Sequence, residues 1–184
     1  MIVSIHQPNF FPWLPFFEKI RSSDTFVFLR HCQFEKNNYQ NRFFYREAWR
    51  TMSVNKGLEP IVNKRYVNPQ NDWQRIKSSL SDKRKILDSF DDCISESLWE
   101  TNQKLIIKLI QMLNINVRIE YDEPTEELSN ERLISICKKL GATTYLAGSG
   151  GKNYMNLELW KSSGINVQFQ EIKNEAKIHV LDNL

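Results

Sequence analysis

The sequence has few of the residues that mark a secreted or metal-binding protein. It contains three cysteines and three histidines in 184 residues. Cys32, Cys93 and Cys137 are far apart and form no CxxC pair, which argues against a disulfide framework and against a zinc site. The sequence also has no HxxxH motif and no paired acidic motif, so we expect no bound metal.

Long hydrophobic runs and an excess of charge of one sign are also missing. No stretch approaches the roughly 20 apolar residues of a membrane-spanning helix, and the opening MIVSIHQPNFFPW has no basic leader or small-residue cleavage site. The 25 basic and 22 acidic side chains give a net charge of only +3, and they are interspersed. We therefore expect a cytoplasmic protein with no membrane span and no nucleic-acid partner.

What is present is the composition of an ordinary folded domain. Apolar residues make up 41% of the chain and charged residues 26%, close to the average for globular proteins. There is no internal repeat and no Gly/Ser linker, and the length suits one core. We therefore predict a single domain over residues 1–184.

Hydrophobic patterning predicts alternating strands and helices. Strand patterns cover 1–5, 25–29, 117–121, 143–147 and 167–170, and helical patterns cover 14–21, 72–85, 95–113, 129–140 and 154–161. A weaker pattern predicts a hairpin of strands 49–54 and 59–62 around Lys56 and Gly57. The alternation favours an α/β fold, with a mostly parallel sheet and helices on both faces in a Rossmann-like three-layer arrangement.

A histidine loop follows the first predicted strand. The segment IHQPNFFPW places His6, Gln7, Asn9 and Trp13 among prolines and aromatic residues. In open parallel sheets, ligand pockets lie at the carboxyl ends of strands. His6 is therefore a candidate general base or donor to a developing anion, and its neighbours are candidate substrate-binding residues. The alternative is a structural histidine that caps a backbone carbonyl.

Two further segments are candidate binding elements. The stretch after the second strand supplies Gln33, Gln40, Asn41 and Arg42. Of these, only Arg42 presents a fixed fork of donors for a carboxylate or diphosphate, although a solvated loop is the alternative.

The second element is a glycine turn that follows the strand at 143–147. It consists of Gly148, Ser149, Gly150 and Gly151, with Tyr154 close behind, and it has the form of an anion cradle. It matches neither a Walker loop nor a dinucleotide fingerprint, and a tight structural turn is the alternative.

The segment HQPNFFPWLPFFEKIRSSDTFVFLRHCQFEKNNYQNR resembles the opening of the WbqC family, with its HQPxFxPW loop and QNR triplet. LGATTYLAGSGGKNYM is similar to the glycine-rich segment of that family, and Leu181 and Asp182 match a terminal LD. Two features depart from the family. Arg30 and His31 stand where an Asp-Asp pair is common, and a Pro- and Tyr-containing stretch is missing between Gln170 and the terminal LD.

The resemblance implies a bacterial protein of O-antigen or capsule biosynthesis. On that basis we expect a transferase that moves a small acyl or aminoacyl group to the amine of a nucleotide-linked amino sugar. In this hypothesis His6 removes the amine proton or supports the oxyanion, and Arg42 and the glycine amides hold phosphate. We expect no tightly bound cofactor. The expected donor is an acyl or aminoacyl thioester, an acyl-carrier protein is a candidate partner, and the aromatic first loop leaves room for a homodimer.

Two other functions remain open from the sequence. The order of strand, histidine loop, helix and strand is similar to that of nucleotidylyltransferases, although their second signature histidine is missing. The aromatic and amide side chains also suit a non-catalytic accessory protein that binds a glycan or nucleotide sugar. The transferase hypothesis requires His6, Arg42 and the glycine turn to border one cavity.

Overall fold

The computed structural model describes residues 1–172 and 179–184, which form parts of two compact units. Unit 1 combines Met1–His6, Leu14–Leu29 and the described residues within 115–177. Unit 2 combines Gln7–Trp13, Arg30–Asn114 and the described residues within 178–184.

The strands, in chain order, are β1 (Ile2–His6), β2 (Thr25–Phe28), β3 (Arg42–Tyr45), β4 (Ala48–Thr51), β5 (Arg118–Tyr121), β6 (Thr144–Ala147) and β7 (Asn166–Phe169). The helices are α1 (Leu14–Arg21), α2 (Pro69–Ser79), α3 (Arg84–Asp88), α4 (Leu98–Met112), α5 (Ser129–Lys139) and α6 (Leu157–Ser162).

Unit 1 contains a parallel sheet with the strand order β5-β2-β1-β6-β7. The chain starts in the middle at β1, moves outward through β2 to β5, and then returns to the other side of β1 for β6 and β7. The direction of winding therefore reverses between β1 and β6. In sheets of this type, ligands bind at the carboxyl ends of the strands next to such a reversal.

Helices cover both faces of this sheet. On one face, Ile134 and Cys137 of α5 and Trp160 of α6 share a core with Val3 and Tyr145. On the other face, Phe16 of α1 contacts Phe26 edge to face, and the Ser23 hydroxyl donates to the Ser4 hydroxyl across 2.7 Å. Since side chains alternate along a strand, Val3 and Ser4 point to opposite faces. The predicted α/β fold with a Rossmann-like three-layer arrangement is confirmed.

Unit 2 has an aromatic core to which the histidine loop contributes. Phe11 stacks on Trp73 with 5.7 Å between ring centroids, and it meets Phe90 edge on. Phe10 packs against Phe43 at 5.7 Å. Both Phe10 and Phe11 are almost completely buried, so these two aromatic residues of the loop stabilise the fold.

The predicted hairpin was placed too late in the chain. The observed pair is β3 and β4, which are antiparallel and joined by Arg46 and Glu47 at φ of 48° and 61°. Two-residue turns of this left-handed type favour asparagine and glycine, so an Arg-Glu turn carries no sequence signal. The predicted strand at 59–62 is wrong, because Ile61–Asn63 forms a 3₁₀ turn.

The predicted helix at 72–85 is interrupted. α2 ends at Ser79, and Leu80, which is almost fully buried at φ −131°, leaves the helical conformation before a 3₁₀ turn and α3 follow. The apolar spacing continues across this break, which is why the sequence pattern suggested one helix. Within the described ranges 1–172 and 179–184, no helix is both long enough and apolar enough to cross a membrane.

Candidate functional site

The parallel sheet of unit 1 opens at the end of β1. The β1–β6 pairing has the register Ile2 with Thr144 and Val3 with Tyr145, and over the described residues it goes no further. The same register, if continued, would bring His6 beside Gly148. On the other side, β1 remains paired with β2 as far as His6 and Phe28. The β1–β6 pairing therefore ends before either strand does, at the reversal of winding, where folds of this type favour ligand binding. We call this unpaired gap the crevice.

His6 and the glycine turn lie at the two sides of this crevice. The imidazole of His6 packs edge on against Phe16 with 4.9 Å between ring centroids, and the residue is partly exposed. Across the opening, Ser149–Asn153 form a 3₁₀ turn directly after β6. The structure thus brings two predicted site segments to one edge of one sheet, although they are more than 140 residues apart.

The glycines of the turn are not equivalent. At Gly151, an added Cβ would lie 3.1 Å from the Met155 sulfur and 3.3 Å from both Ala147 Cβ and Phe169 Cε1. A side chain at this position would therefore force its neighbours to shift by a few tenths of an ångström, so close packing favours glycine here. At Gly148 and Gly150, a Cβ would meet nothing within 4 Å. These two positions leave the backbone open to a ligand.

Lys19 lies beside this gap and is a candidate that the sequence predictions did not include. Its Nζ donates a hydrogen bond to the carbonyl oxygen of Ile5 across 3.2 Å, and the side chain is only 3% exposed. Burial lowers the pKa of Lys19 to about 7. Its spacing in the sequence could have indicated this burial, because Lys19 lies four residues after Pro15 and three after Phe16, on the buried face of α1.

The break in the sheet explains why Ile5 can accept this bond. The carbonyl oxygens of Ile2 and His6 accept from Asp24 and Leu29, on the β2 side. Carbonyls alternate in direction along a strand, so that of Ile5 points toward β6. Because β6 is no longer paired there, the amine of Lys19 takes the place of a ladder donor.

A cavity of about 570 Å³ adjoins Lys19 in unit 1. Its volume is within the range of small-molecule sites, roughly 300–1,000 Å³. It is lined by Leu14, Pro15, Glu18, Lys19, Ser22, Leu146, Phe169, Gln170, Glu171 and Ile172. The lining comes from α1, from β6 and from the end of β7, so the cavity lies on the face of the sheet that α1 covers.

Within unit 2, the predicted amide residues hold two loops together. Gln40 Nε2 donates to Gln7 Oε1 across 2.6 Å, and its Oε1 accepts from the Glu35 backbone N–H at 2.9 Å. The buried amide of Asn102 donates to the carbonyls of Pro8 and Gln40 at 2.8 and 2.7 Å. These bonds fix the shape of the loops, so the structure gives the side chains of Gln7 and Gln40 a structural role.

Other predicted residues of unit 2 have similar internal contacts. Asn41 is buried and donates to the Met52 carbonyl across 2.7 Å. The Arg42 guanidinium lies 3.9 Å from the centroid of the Trp49 ring and donates to the Asn37 carbonyl. Among all predicted site residues, those of unit 2 are Gln7, Asn9, Trp13, Gln33, Gln40, Asn41 and Arg42, and those of unit 1 are His6, Gly148, Ser149, Gly150, Gly151 and Tyr154. That Arg42 borders the same cavity as His6 stays a prediction.

The terminal LD segment is anchored within unit 2. The Tyr45 hydroxyl donates to Asp182 Oδ1 across 2.6 Å, and His179 Nδ1 accepts from the Leu181 backbone N–H at 3.2 Å. Burial lowers the pKa of His179 to about 4. The sequence comparison placed the missing Pro- and Tyr-containing stretch between Gln170 and the terminal LD. Most of that segment, residues 173–178, lies outside the described residues. Over the rest of the chain, no group of three or more His, Cys, Asp or Glu side chains is placed to hold a metal ion.

Comparison with known proteins gives one family match. A model of the WbqC-like protein family matches residues 7–179. The uncharacterized protein Rv1507c of Mycobacterium tuberculosis (strain ATCC 25618 / H37Rv) is 23% identical to this chain, and the alignment covers 90% of this chain and 80% of that protein. No solved structure matches. The family match includes β6 and the glycine turn, whereas β1 with His6 lies just before the matched residues.

Proposed function

The chain belongs to the WbqC-like protein family, and on that premise we propose that it is a transferase of surface-polysaccharide biosynthesis. It moves a small acyl or aminoacyl group from a thioester to the amine of a nucleotide-linked amino sugar. The amine nitrogen forms a bond to the acyl carbon, the bond from that carbon to sulfur breaks, and the thiol leaves with a proton. The product is an amide.

The observation that supports this reaction is the opening between β1 and β6. The imidazole of His6 and the glycine turn lie at the ends of these two adjacent strands, and the buried amine of Lys19 bonds to Ile5 on β1 and adjoins a cavity of small-molecule size. Acyl transfer passes through a tetrahedral oxyanion, and donors already aimed at that oxygen are the main source of its stabilisation. His6 supports the oxyanion in this proposal, and the exposed backbone at Gly148 and Gly150 holds a phosphate of the substrate.

Thiol release tests the proposal directly. The purified chain is incubated with nucleotide-linked amino sugars and with acetyl or glycyl thioesters. Free thiol is measured by a colorimetric assay, and the amide product by mass spectrometry. We expect both products in a one-to-one ratio. We expect His6→Ala to lower the maximal rate by about 10²-fold or more, while His31→Ala, a matched histidine variant, retains the rate.

Other products would point to other functions. Pyrophosphate released from a nucleoside triphosphate, without thiol, would replace the proposal with nucleotidyl transfer. Tight binding of a nucleotide sugar with no turnover by any donor would make the chain an accessory binding protein. An unchanged maximal rate for His6→Ala would remove that residue from the chemistry.

A further inference from the structure

The cavity beside α1 has an unusual charge distribution. Of the described residues that line it, three carry ionisable groups, namely Lys19, Glu18 and Glu171. Lys19 is buried, whereas the other two are exposed. Lys19 makes no ion pair with either of them among the described residues, and its one hydrogen bond there goes to the neutral carbonyl of Ile5.

This environment favours the uncharged amine. An ammonium group that leaves water without a paired carboxylate loses hydration that one carbonyl does not replace. With Lys19 neutral, the other ionisable groups among the described lining residues are the carboxylates of Glu18 and Glu171. The cavity then suits a cation and repels an anion, while Pro15, Leu146 and Phe169 offer apolar surface to the carbon skeleton of a ligand.

We propose that this cavity binds the primary amine of the acceptor, and that Lys19 is the group that takes its proton. This assignment rests on the proposed function, which requires an amine acceptor but leaves its location open. Glu18 and Glu171 attract the incoming ammonium. One proton then moves from the ammonium nitrogen to Nζ of Lys19, so the acceptor nitrogen regains the electron pair with which it attacks the acyl carbon.

The acceptor ammonium loses two protons as its nitrogen becomes an amide. Lys19 receives one proton and becomes an ammonium, whose charge the Ile5 carbonyl and the two carboxylates stabilise. Amide formation removes a second proton from the acceptor nitrogen, and this proton goes to the departing thiolate, which leaves as a thiol. Lys19 then releases the first proton to solvent, which restores the neutral amine. His6 is then not needed as the base, which leaves its imidazole to act on the oxyanion.

Proton-linked binding provides a readout that does not depend on turnover. Among the described residues, the ionisable groups that line the cavity with Lys19 are Glu18 on α1, which lies 3.9 Å from Arg21, and Glu171 after β7. At pH 6, Lys19 is mostly protonated, because the pKa of this group is about 7. At this pH the free ammonium ligand and Lys19 are both protonated. In the complex only one of the two amines keeps its charge, so binding should release nearly one proton to the buffer.

The probe is D-glucosamine, with N-acetyl-D-glucosamine as the control that has the same ring and no amine. Calorimetry at pH 6 in two buffers with different ionisation heats counts the protons released. We expect about one proton per D-glucosamine and roughly tenfold weaker binding of the control, corresponding to about 1.4 kcal/mol. Lys19→Met should release no proton, and Glu18→Gln with Glu171→Gln should remove the preference for the amine.

Equal heats in the two buffers, or equal affinity for both sugars, would overturn the assignment. Lys19→Met replaces a buried amine with an apolar side chain of similar length, so the variant should fold, and its unfolding curve checks this. If D-glucosamine binds with proton release but no thioester is consumed, the amine site stands and the proposed function fails. If acyl transfer occurs but D-glucosamine binds without proton release, the proposed function stands and this site fails.

Discussion

The amine of Lys19 lies 3.2 Å from the carbonyl oxygen of Ile5, at the point where β1 is no longer paired with β6. A lysine there completes the hydrogen bonding of a strand edge, but its charge is poorly solvated. Lys19 therefore lowers the free energy of unfolding, and it places a titratable amine inside the fold. Buried lysines of this kind are typical of functional sites.

Lys19→Met should stabilise the protein. Burial holds the pKa near 7 instead of 10.5, so between these pH values the unfolded chain binds a proton that the folded chain does not. Stability of the native protein therefore rises with pH across this window. We expect the variant to gain roughly 2–4 kcal/mol at pH 7 in urea unfolding, and the gain should shrink toward pH 10. The exposed-site control Lys161→Met should show neither effect, and a destabilised Lys19→Met would contradict the desolvation argument.

Acid unfolding should depend on His179. Burial lowers the pKa of this imidazole from 6.5 to about 4, so the unfolded chain binds more protons between these values. Stability should therefore fall as pH falls from 6.5 to 4, by about 3 kcal/mol from this residue. His179→Phe retains an aromatic ring beside Phe43 and Tyr45. We expect it to cost about 1 kcal/mol at pH 7 through the lost bond to Leu181, and to flatten the acid limb in urea titrations at pH 7, 5.5 and 4. Parallel pH profiles for the two proteins would show that His179 is not the titrating group.

Two glycine variants should show which position of the turn is closely packed and which is open. Gly151→Ala places a methyl group 3.1–3.3 Å from Met155, Ala147 and Phe169. We expect it to lower the unfolding free energy by about 1–3 kcal/mol. Gly150→Ala meets no atom within 4 Å and should leave thermal stability within about 0.5 kcal/mol. If both variants melt like the parent, the turn is looser than its geometry indicates.

Asn102 should be the most sensitive amide of unit 2. Asn102→Leu leaves the carbonyls of Pro8 and Gln40 and the Tyr66 hydroxyl without their partner in a buried region. We expect a loss of about 2–4 kcal/mol in chemical unfolding, from unmet hydrogen bonds. Lys104→Ala, on the exposed side of the same helix, is the control and should stay within about 0.5 kcal/mol. A loss below 1 kcal/mol for Asn102→Leu would mean that water satisfies these groups.

The sheet and its helices were predictable because their patterns are local. Alternation and burial mark β1, β2 and β6, and the apolar spacing of α4 and α5 gave their positions to within a few residues. The β3–β4 hairpin was misplaced, because its turn uses Arg46 and Glu47 in left-handed backbone that sequence rules assign to glycine or asparagine. The sequence pattern also did not predict the helix break at Leu80, since the apolar spacing continues across it.

The candidate site was only partly predictable. His6 and the glycine turn were predicted as site segments, because a polar or glycine-rich loop after a buried strand is a local signal, and the structure brings them to one edge of the sheet. The internal bonds of Gln40 and Asn41 were not foreseen, since a polar side chain gives no local indication of whether its partner is a ligand or a distant carbonyl. Lys19 was missed because a lysine within an amphipathic helix is normally exposed.

The order of strands and helices, the loop chemistry that follows β1 and β6, and the family resemblance can all be predicted from neighbouring residues in the sequence. The adjacency of β1 and β6, the end of their pairing after Val3, and the amine that bonds to Ile5 appear only in the folded chain. The strand pairing joins residues more than a hundred positions apart, and the Lys19–Ile5 bond joins residues 14 positions apart. Packing and desolvation act there on groups that no local pattern connects.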